Sequence, residues 1–357
     1  MPYQPCGQSQ CERDLASLLQ HAIDEGVFPG AYAAIGHAGH VIECGAGSFT
    51  YEAQSSAVNS RSIFDLASLT KVIATATAIM LLVQRRELAL EDRADRYLSK
   101  LNSPPKSQIT IRHLLCHMAG FPSHVPLLEK AQDRESLLDK ALSLDLSYRP
   151  GQQRIYDDIS YIVLGLIIEA VSSAPLDAYC RTSIFEPLGM TETMFNPPSD
   201  LADRIVPTEW DARLGVLRGT VHDENARALG GVSGHAGLFS TGRDLLRFCE
   251  SLRRAAQEEC DMILSAATVR RMLTVQWRDA GGEYALGWDK FRPTYMTGLG
   301  NLRAFGHTGF TGTSVVISPH HSLTIILLTN RVHPDRNGPS IDPVRRAVAE
   351  MGLKIAR

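Results

Sequence analysis

Apolar positions in residues 12–25, ERDLASLLQHAIDE, recur at helical spacing. Leu15, Leu18, Leu19 and Ile23 form one stripe, which predicts an amphipathic helix ending before the Pro29-Gly30 break. The next stretch, AYAAIGHAGHVIECGAGSFTYE, reads as two strands joined by glycine-containing turns, a hairpin. The pattern then changes. FDLASLTKVIATATAIMLLVQ, Phe64 to Gln84, is almost wholly apolar in its second half, the mark of a helix buried all round. From about 85 to 280 the spacing is mostly helical. TIRHLLCHM, LLDKAL, YIVLGLIIEAV and GRDLLRFCESLRRA are the helix candidates, with breaks at Pro104-Pro105, Pro122, Pro150-Gly151 and Pro197-Pro198. From 284 short β-rich runs appear, YALGWDKF, RAFGHTG, TSVVISP and LTIILLTN, before PVRRAVAEMGLKI forms a last amphipathic helix.

This order predicts an α+β fold. The two strand-rich ends build one antiparallel sheet covered by the terminal helices, a three-layer α/β/α arrangement with an all-helical domain inserted. The expected partition is 12–64 and 284–357 for the sheet domain and 65–283 for the helical insertion, with an active site at their interface. There is no internal repeat.

Composition narrows the function classes. A chain of 357 residues forms one large domain or two medium ones. Hydrophobic residues at 44% supply a core, and a net charge of −3 provides no field to attract nucleic acid or an anionic membrane. The longest apolar run, Val72 to Val83, is about 12 residues, short of the about 20 a membrane-spanning helix needs. The N-terminal MPYQPCGQSQCERDLASLL has no basic segment followed by an apolar one, so the expected location is the cytoplasm. Seven scattered cysteines without a CxxC predict free thiols; Cys6 and Cys11 could pair or bind metal, but nothing nearby supports either.

The chemistry starts at Ser68 and Lys71. Three residues apart on a helix, they share a face. A serine hydroxyl attacks only when a base takes its proton, and a partly desolvated lysine can be that base. The helix N-terminus adds a positive field that favours an anionic transition state. The same pair also fits a helix cap with a solvated lysine. A second Ser-x-x-Lys, Ser103 to Lys106, holds two prolines that forbid a helix interior, and it is set aside.

Two further segments bear on the choice. RPGQQRIYDDISYIVLG places Tyr156, Asp157 and Asp158 before an apolar helix, and FGHTGFTGTSVVIS places His307, Thr308 and Gly309 between predicted strands. Taken alone, Tyr156 also reads as a core tyrosine and His307 as a packing histidine. With the Ser68–Lys71 helix, in this order, the chain resembles the serine β-lactamase and penicillin-binding-protein superfamily, most of all its class C branch with esterases and D-aminopeptidases. TIRHLLCHMAGFPS, EPLGMTETMF, GLFSTGRDLLRF and YALGW match the same branch, and the resemblance spans about 12 to 331. It implies a β-lactamase/transpeptidase-like fold with no cofactor and no metal. Ser68 would be the acylated nucleophile, Lys71 its proton partner and Tyr156 a second acid or base. Asp158 would bond Lys71. His307, Thr308 and Gly309 would form the substrate-side strand, and the backbone N–H groups of Ser68 and Phe310 the oxyanion hole.

Departures from the pattern bear on substrate. Asp158 stands where asparagine is commoner; its charge favours the Lys71 ammonium and shifts the burden of base toward Tyr156. His307 stands where lactam-destroying enzymes carry lysine, and a mostly neutral imidazole is a poor anchor for a drug's carboxylate. The block GTVHDENARALGGVSGHAGLFST, 219–241, resembles a sub-branch containing cytoplasmic N-acetylmuramoyl-L-alanine amidases and a related penicillin-binding protein. His222, Asp223 and His235 within it could bind a metal, although their separations match no zinc pattern; the glycines suggest a tight loop by the site, with Asn225 and His235 near the pocket.

The expected activity is therefore serine acyl transfer to water on an amide or ester of a small molecule or muropeptide. A muramoyl-peptide amidase leads, with carboxylesterase, D-aminopeptidase or DD-peptidase, and weak β-lactamase as alternatives. A catalytically idle binding module of the same fold is the alternative of another class. Oligomeric state is not legible.

Overall fold

The computed structural model describes residues 10–123, 125–127, 133–296, 298–299 and 303–356. Cys6, one of the two cysteines considered for pairing, lies outside them. The six described cysteines are free.

Helix α1 (Gln10–Asp24) leads into the hairpin β1 (Gly30–His37) and β2 (His40–Gly47). After a short β3 (Phe64–Asp65) comes α2 (Lys71–Gln84). The central stretch holds α3 (Ile111–Leu115), α4 (Arg134–Ser143), α5 (Ile159–Ser172) and α6 (Leu176–Cys180). The short strands β4 (Met194–Phe195), β5 (Trp210–Asp211) and β6 (Gly215–Val216) precede α7 (Glu224–Ala228), β7 (Leu238–Ser240), α8 (Gly242–Ala256) and α9 (Ala266–Met272). The strands β8 (Trp277–Asp279), β9 (Gly282–Tyr284), β10 (Asp289–Phe291), β11 (Phe305–Thr308), β12 (Ser314–Ser318) and β13 (Leu323–Thr329) follow, then α10 (Asp342–Ile355).

Eight strands form one antiparallel sheet in the order β2-β1-β13-β12-β11-β10-β9-β8. The first and last thirds of the chain therefore meet at the β1–β13 pairing, where Tyr32 faces Leu328. Strand β13 is apolar and buried along its length, because both of its faces are covered. Leu323, Ile325 and Leu327 pack with α1 and α10. The alternate residues Ile326 and Leu328 pack with Leu245, Phe248 and Leu252 of α8 on the other face. Period-two alternation thus feeds two helical layers, which makes the α/β/α sandwich. The sheet also draws β8 and β9 from 277–284, and α8 covers it from within the stretch expected to be helical insertion.

The helical layer is built round α2 and α5. Ile79, Met80 and Leu82 are fully buried, each contributing about 1.5–3 kcal/mol relative to exposure. Among the described residues no single helix is long and apolar enough to cross a membrane. The bent pair of α5 and the helical run Leu176–Phe185 is apolar because it fills this core.

Candidate active site

Ser68 sits at the mouth of α2, in a turn closed by hydrogen bonds from the backbone N–H of Thr70 to the carbonyl of Ala67 and from that of Lys71 to the carbonyl of Ser68, each 3.0 Å. Ala67 before it adopts φ +46°, a left-handed conformation that costs an L residue about 1–2 kcal/mol. The turn is held by Asp65. One carboxylate oxygen accepts from the Ala67 N–H at 2.8 Å and the other from the His222 N–H at 2.7 Å. From Lys71 to Ala76 the helix winds in wide π-type turns, an irregularity found often at functional sites.

Lys71 is fully buried. Its Nζ donates to Ser68 Oγ at 2.9 Å and to the His235 carbonyl at 3.0 Å, and it pairs with Asp158 Oδ1 at 2.8 Å. Three acceptors match the three N–H bonds of an ammonium. Burial alone pushes the lysine down, but the charge of Asp158, aided by Tyr156, outweighs it and holds Lys71 above its ordinary value. Asp158 is depressed: burial raises it, and the Lys71 charge wins.

Tyr156 closes the other side. The Lys71 ammonium lies 5.1 Å from its ring centroid, and its charge favours the ionised phenol. Burial keeps the phenol above its usual value despite the lysine charge. Lysine and phenol are therefore both protonated at rest. The aspartate doublet after Tyr156 divides its work. Asp157 turns inward and caps α5 by accepting from the Ser160 N–H at 2.6 Å; burial pushes it up to about 7. Asp158 turns toward Lys71.

Strand β11 delivers the third segment. Gly309 passes so close to the Ser68 turn that a Cβ there would lie 2.5 Å from the Leu66 carbonyl oxygen and 2.1 Å from Thr313 Oγ1. Threonine hydroxyls staple the two segments: Thr311 donates to the Asp65 carbonyl at 2.8 Å, Thr313 to that of Leu66 at 3.0 Å. Arg345 of α10, which also lines the cleft, braces the turn by donating to the carbonyls of Gly309 and Thr313 at 2.8 and 3.0 Å. Among the described residues neither the Ser68 nor the Phe310 backbone N–H has a protein acceptor, so two donors stay free at the cleft.

The cleft has a volume of about 670 Å³. Ser68, Tyr156, Thr308, Gly309 and Phe310 line it together with Arg292 and Arg331. His307 is buried behind this wall, its ring centroid 6.2 Å from that of Tyr156. Its Nδ1–H donates to the Thr308 carbonyl at 2.8 Å, and burial, then the Lys71 charge, push it well below the usual imidazole range. It offers no cation.

The 219–241 loop lies against α2 and α5. Gly234 approaches α5 so tightly that a Cβ would sit 2.0 Å from the Tyr161 carbonyl oxygen. This brings the Gly234 carbonyl to Thr75 Oγ1 at 2.6 Å and the His235 carbonyl to Lys71. The two histidines of the loop diverge. His235 Nε2 meets Asp223 at 2.7 Å, and His222 Nε2 meets Glu209 at 3.0 Å. Among the described residues no three His, Cys, Asp or Glu side chains are grouped to hold a metal ion. Asn225 bonds the 125–127 backbone through both ends of its amide.

Sequence reading missed His117, the His235 carbonyl, Arg292, Arg331 and Arg345. His117 lay within a quoted stretch, TIRHLLCHMAGFPS; a carbonyl acceptor leaves no mark in residue type.

A hydroxyl bonded to an ammonium, a phenol lining the same cleft and two free backbone donors, on an α/β/α sandwich, define a serine acyl-transfer hydrolase. The Beta-lactamase family profile matches residues 15–350, and the chain belongs to that family. An Escherichia coli (strain K12) protein with the provisional name D-alanyl-D-alanine carboxypeptidase is 34% identical over 314 residues, covering 79% of this chain and 72% of that one. Solved structures share the fold. A β-lactamase/D-alanine carboxypeptidase from Pseudomonas syringae has a TM-score of 0.79 at 21% identity, covering 98% of this chain and all of its own. EstCE1, a hydrolase with promiscuous acyltransferase activity, has a TM-score of 0.77 at 22% identity, over 95% and 98%.

Proposed function

We propose that this serine hydrolase cleaves the terminal amide of a D-alanyl-D-alanine-type peptide from the cell wall. Once the Tyr156–Lys71 pair has released one proton to solvent, Ser68 Oγ attacks the scissile carbonyl and its proton passes into that pair. The oxyanion is held by the N–H groups of Ser68 and Phe310; losing one such donor costs other enzymes about 3 kcal/mol. The pair returns the proton to the leaving amine, and water then releases the acyl group by the reverse route.

The observation that carries the substrate class is the pair Arg292 and Arg331 in the wall beside Ser68. Arg331 is bonded to carbonyl oxygens, of Phe310 at 3.0 Å and Arg336 at 3.3 Å, and Arg292 reaches Asp289 at 3.9 Å. A carboxylate one residue beyond the scissile bond suits such a wall. The name of the 34% identical relative supports the same reading.

A second reading, the muramoyl-L-alanine amidase, draws on the 219–241 loop, which packs on the catalytic lysine through the His235 carbonyl. One experiment separates them. A muramoyl pentapeptide is incubated with the protein and with Ser68→Ala, and products are read by mass spectrometry. Release of D-alanine is expected. Release of the intact peptide from muramic acid would replace the first reading by the second. Turnover of simple p-nitrophenyl esters alone would reduce both to a carboxylesterase.

A further inference from the structure

We propose that His117 is a positioning residue for Tyr156, holding the phenol against the Ser68–Lys71 pair from behind the cleft wall. The residue follows α3 and is buried, with φ +57°. Histidine is enriched among the non-glycine residues that adopt this conformation, yet the conformation remains uncommon. Here it turns both the ring and the carbonyl of one residue onto the 148–157 segment. The carbonyl accepts from the Ile155 N–H at 3.1 Å and from the Tyr148 hydroxyl at 3.3 Å. Nδ1 accepts from the Asp157 N–H at 3.3 Å. The backbone immediately before and immediately after Tyr156 is thus tied to the same residue.

The ring completes the grip. It lies on the Tyr156 ring with centroids 4.4 Å apart, and on Tyr161 at 5.1 Å. The Asp157 carboxyl stands 3.4 Å from Nδ1 and is itself fixed by the Ser160 N–H and hydroxyl, at 2.6 and 2.9 Å. Burial, with the charges of Arg154 and Lys71, keeps the imidazole neutral, so it adds shape and a lone pair without competing with the lysine. His117 does not line the cleft, and its influence on the reaction runs through Tyr156.

This inference rests on Tyr156 as a proton-transfer group, and the test keeps the two apart. Wild type, His117→Phe, His117→Asn, Tyr156→Phe and the double variant His117→Phe/Tyr156→Phe are compared on p-nitrophenyl acetate, with folding checked by circular dichroism. His117→Phe keeps a ring and loses Nδ1. It is expected to lose up to ~10²-fold in kcat, the scale of a small misplacement of a reacting group, with KM little changed. Asparagine tolerates left-handed φ and carries its oxygen near the Nδ1 position, so it should recover most of the loss. The double variant should be no slower than Tyr156→Phe alone. A full rate for His117→Phe, a loss confined to KM, or losses that multiply in the double variant would each overturn the proposal. A full rate for Tyr156→Phe would instead remove Tyr156 from the mechanism. Should His117→Phe fail to fold, Asn and Gln decide: a fast Asn with a slow Gln supports the positioning role, and equal rates overturn it.

Discussion

Asp158 and Lys71 form an ion pair of 2.8 Å in which the lysine is wholly buried and the aspartate partly reachable by solvent. The pair keeps the lysine an ammonium, already donating to Ser68. A base must therefore be uncovered before the serine can attack. With the folded values of Lys71 and Tyr156 both raised, kcat/KM should climb with pH on the alkaline side of neutrality. Asp158→Asn removes the charge that raises Lys71. The climbing limb should then move to lower pH, by about one unit or more. A pH–rate profile of the two proteins checks this; an unmoved limb would assign it to another group.

Ser68→Ala removes the proposed nucleophile without disturbing the apolar helix behind it. Turnover on any ester or amide substrate should fall at least ~10³-fold while the thermal midpoint stays near that of wild type. Intact-protein mass spectrometry after a fluorophosphonate should show the adduct in wild type and none in the variant.

Gly309→Ala tests how closely the end of β11 approaches the Ser68 turn. A new Cβ would meet the Leu66 carbonyl oxygen at 2.5 Å, and a backbone oxygen cannot swing aside. The strand must move away from the Ser68 turn. A loss of about 1–3 kcal/mol in urea unfolding is expected, together with a large loss of activity. An active variant of undiminished stability would show that the strand has room to give.

Arg292→Ala and Arg331→Ala probe the carboxylate side. Each should raise KM for a D-alanyl-D-alanine peptide about tenfold or more while leaving a neutral p-nitrophenyl ester nearly unaffected. Equal effects on both substrates would point to loss of wall structure rather than of anion recognition.

Asp223 provides a stability test. Burial raises its carboxyl, but the contact with His235 outweighs burial and depresses it. A depressed folded value means the native state prefers the ionised form. Its contribution is present above the unfolded value, about pH 4, and is lost as pH falls through the folded one. Asp223→Asn should be destabilised at neutral pH, and the gap to wild type should narrow in acid. A gap constant with pH would mean the pair contributes by packing alone.

Local pattern was enough to read much of this molecule. The stripe of Leu15, Leu19 and Ile23, the strands around Gly39 and the unbroken apolarity behind Ser68 each report the surface their own element must bury. That periodicity depends on backbone geometry alone, so the helix, hairpin and sandwich layers could be read before any contact was known. Ser68 and Lys71 were legible from their spacing, although it is the turn at the mouth of α2, and not a helix carrying both, that brings them together. The tertiary structure alone decided what surrounds them. The His235 carbonyl is 164 residues from the lysine it receives, and Thr311 and Thr313 reach carbonyls about 246 residues back. Carbonyl acceptors have no residue signature. The left-handed turn at His117 and the placing of Arg292 and Arg331 beside the serine arise only when sheet and helical layer are pressed together. Periodicity states which face a residue turns; packing over hundreds of residues states what that face meets.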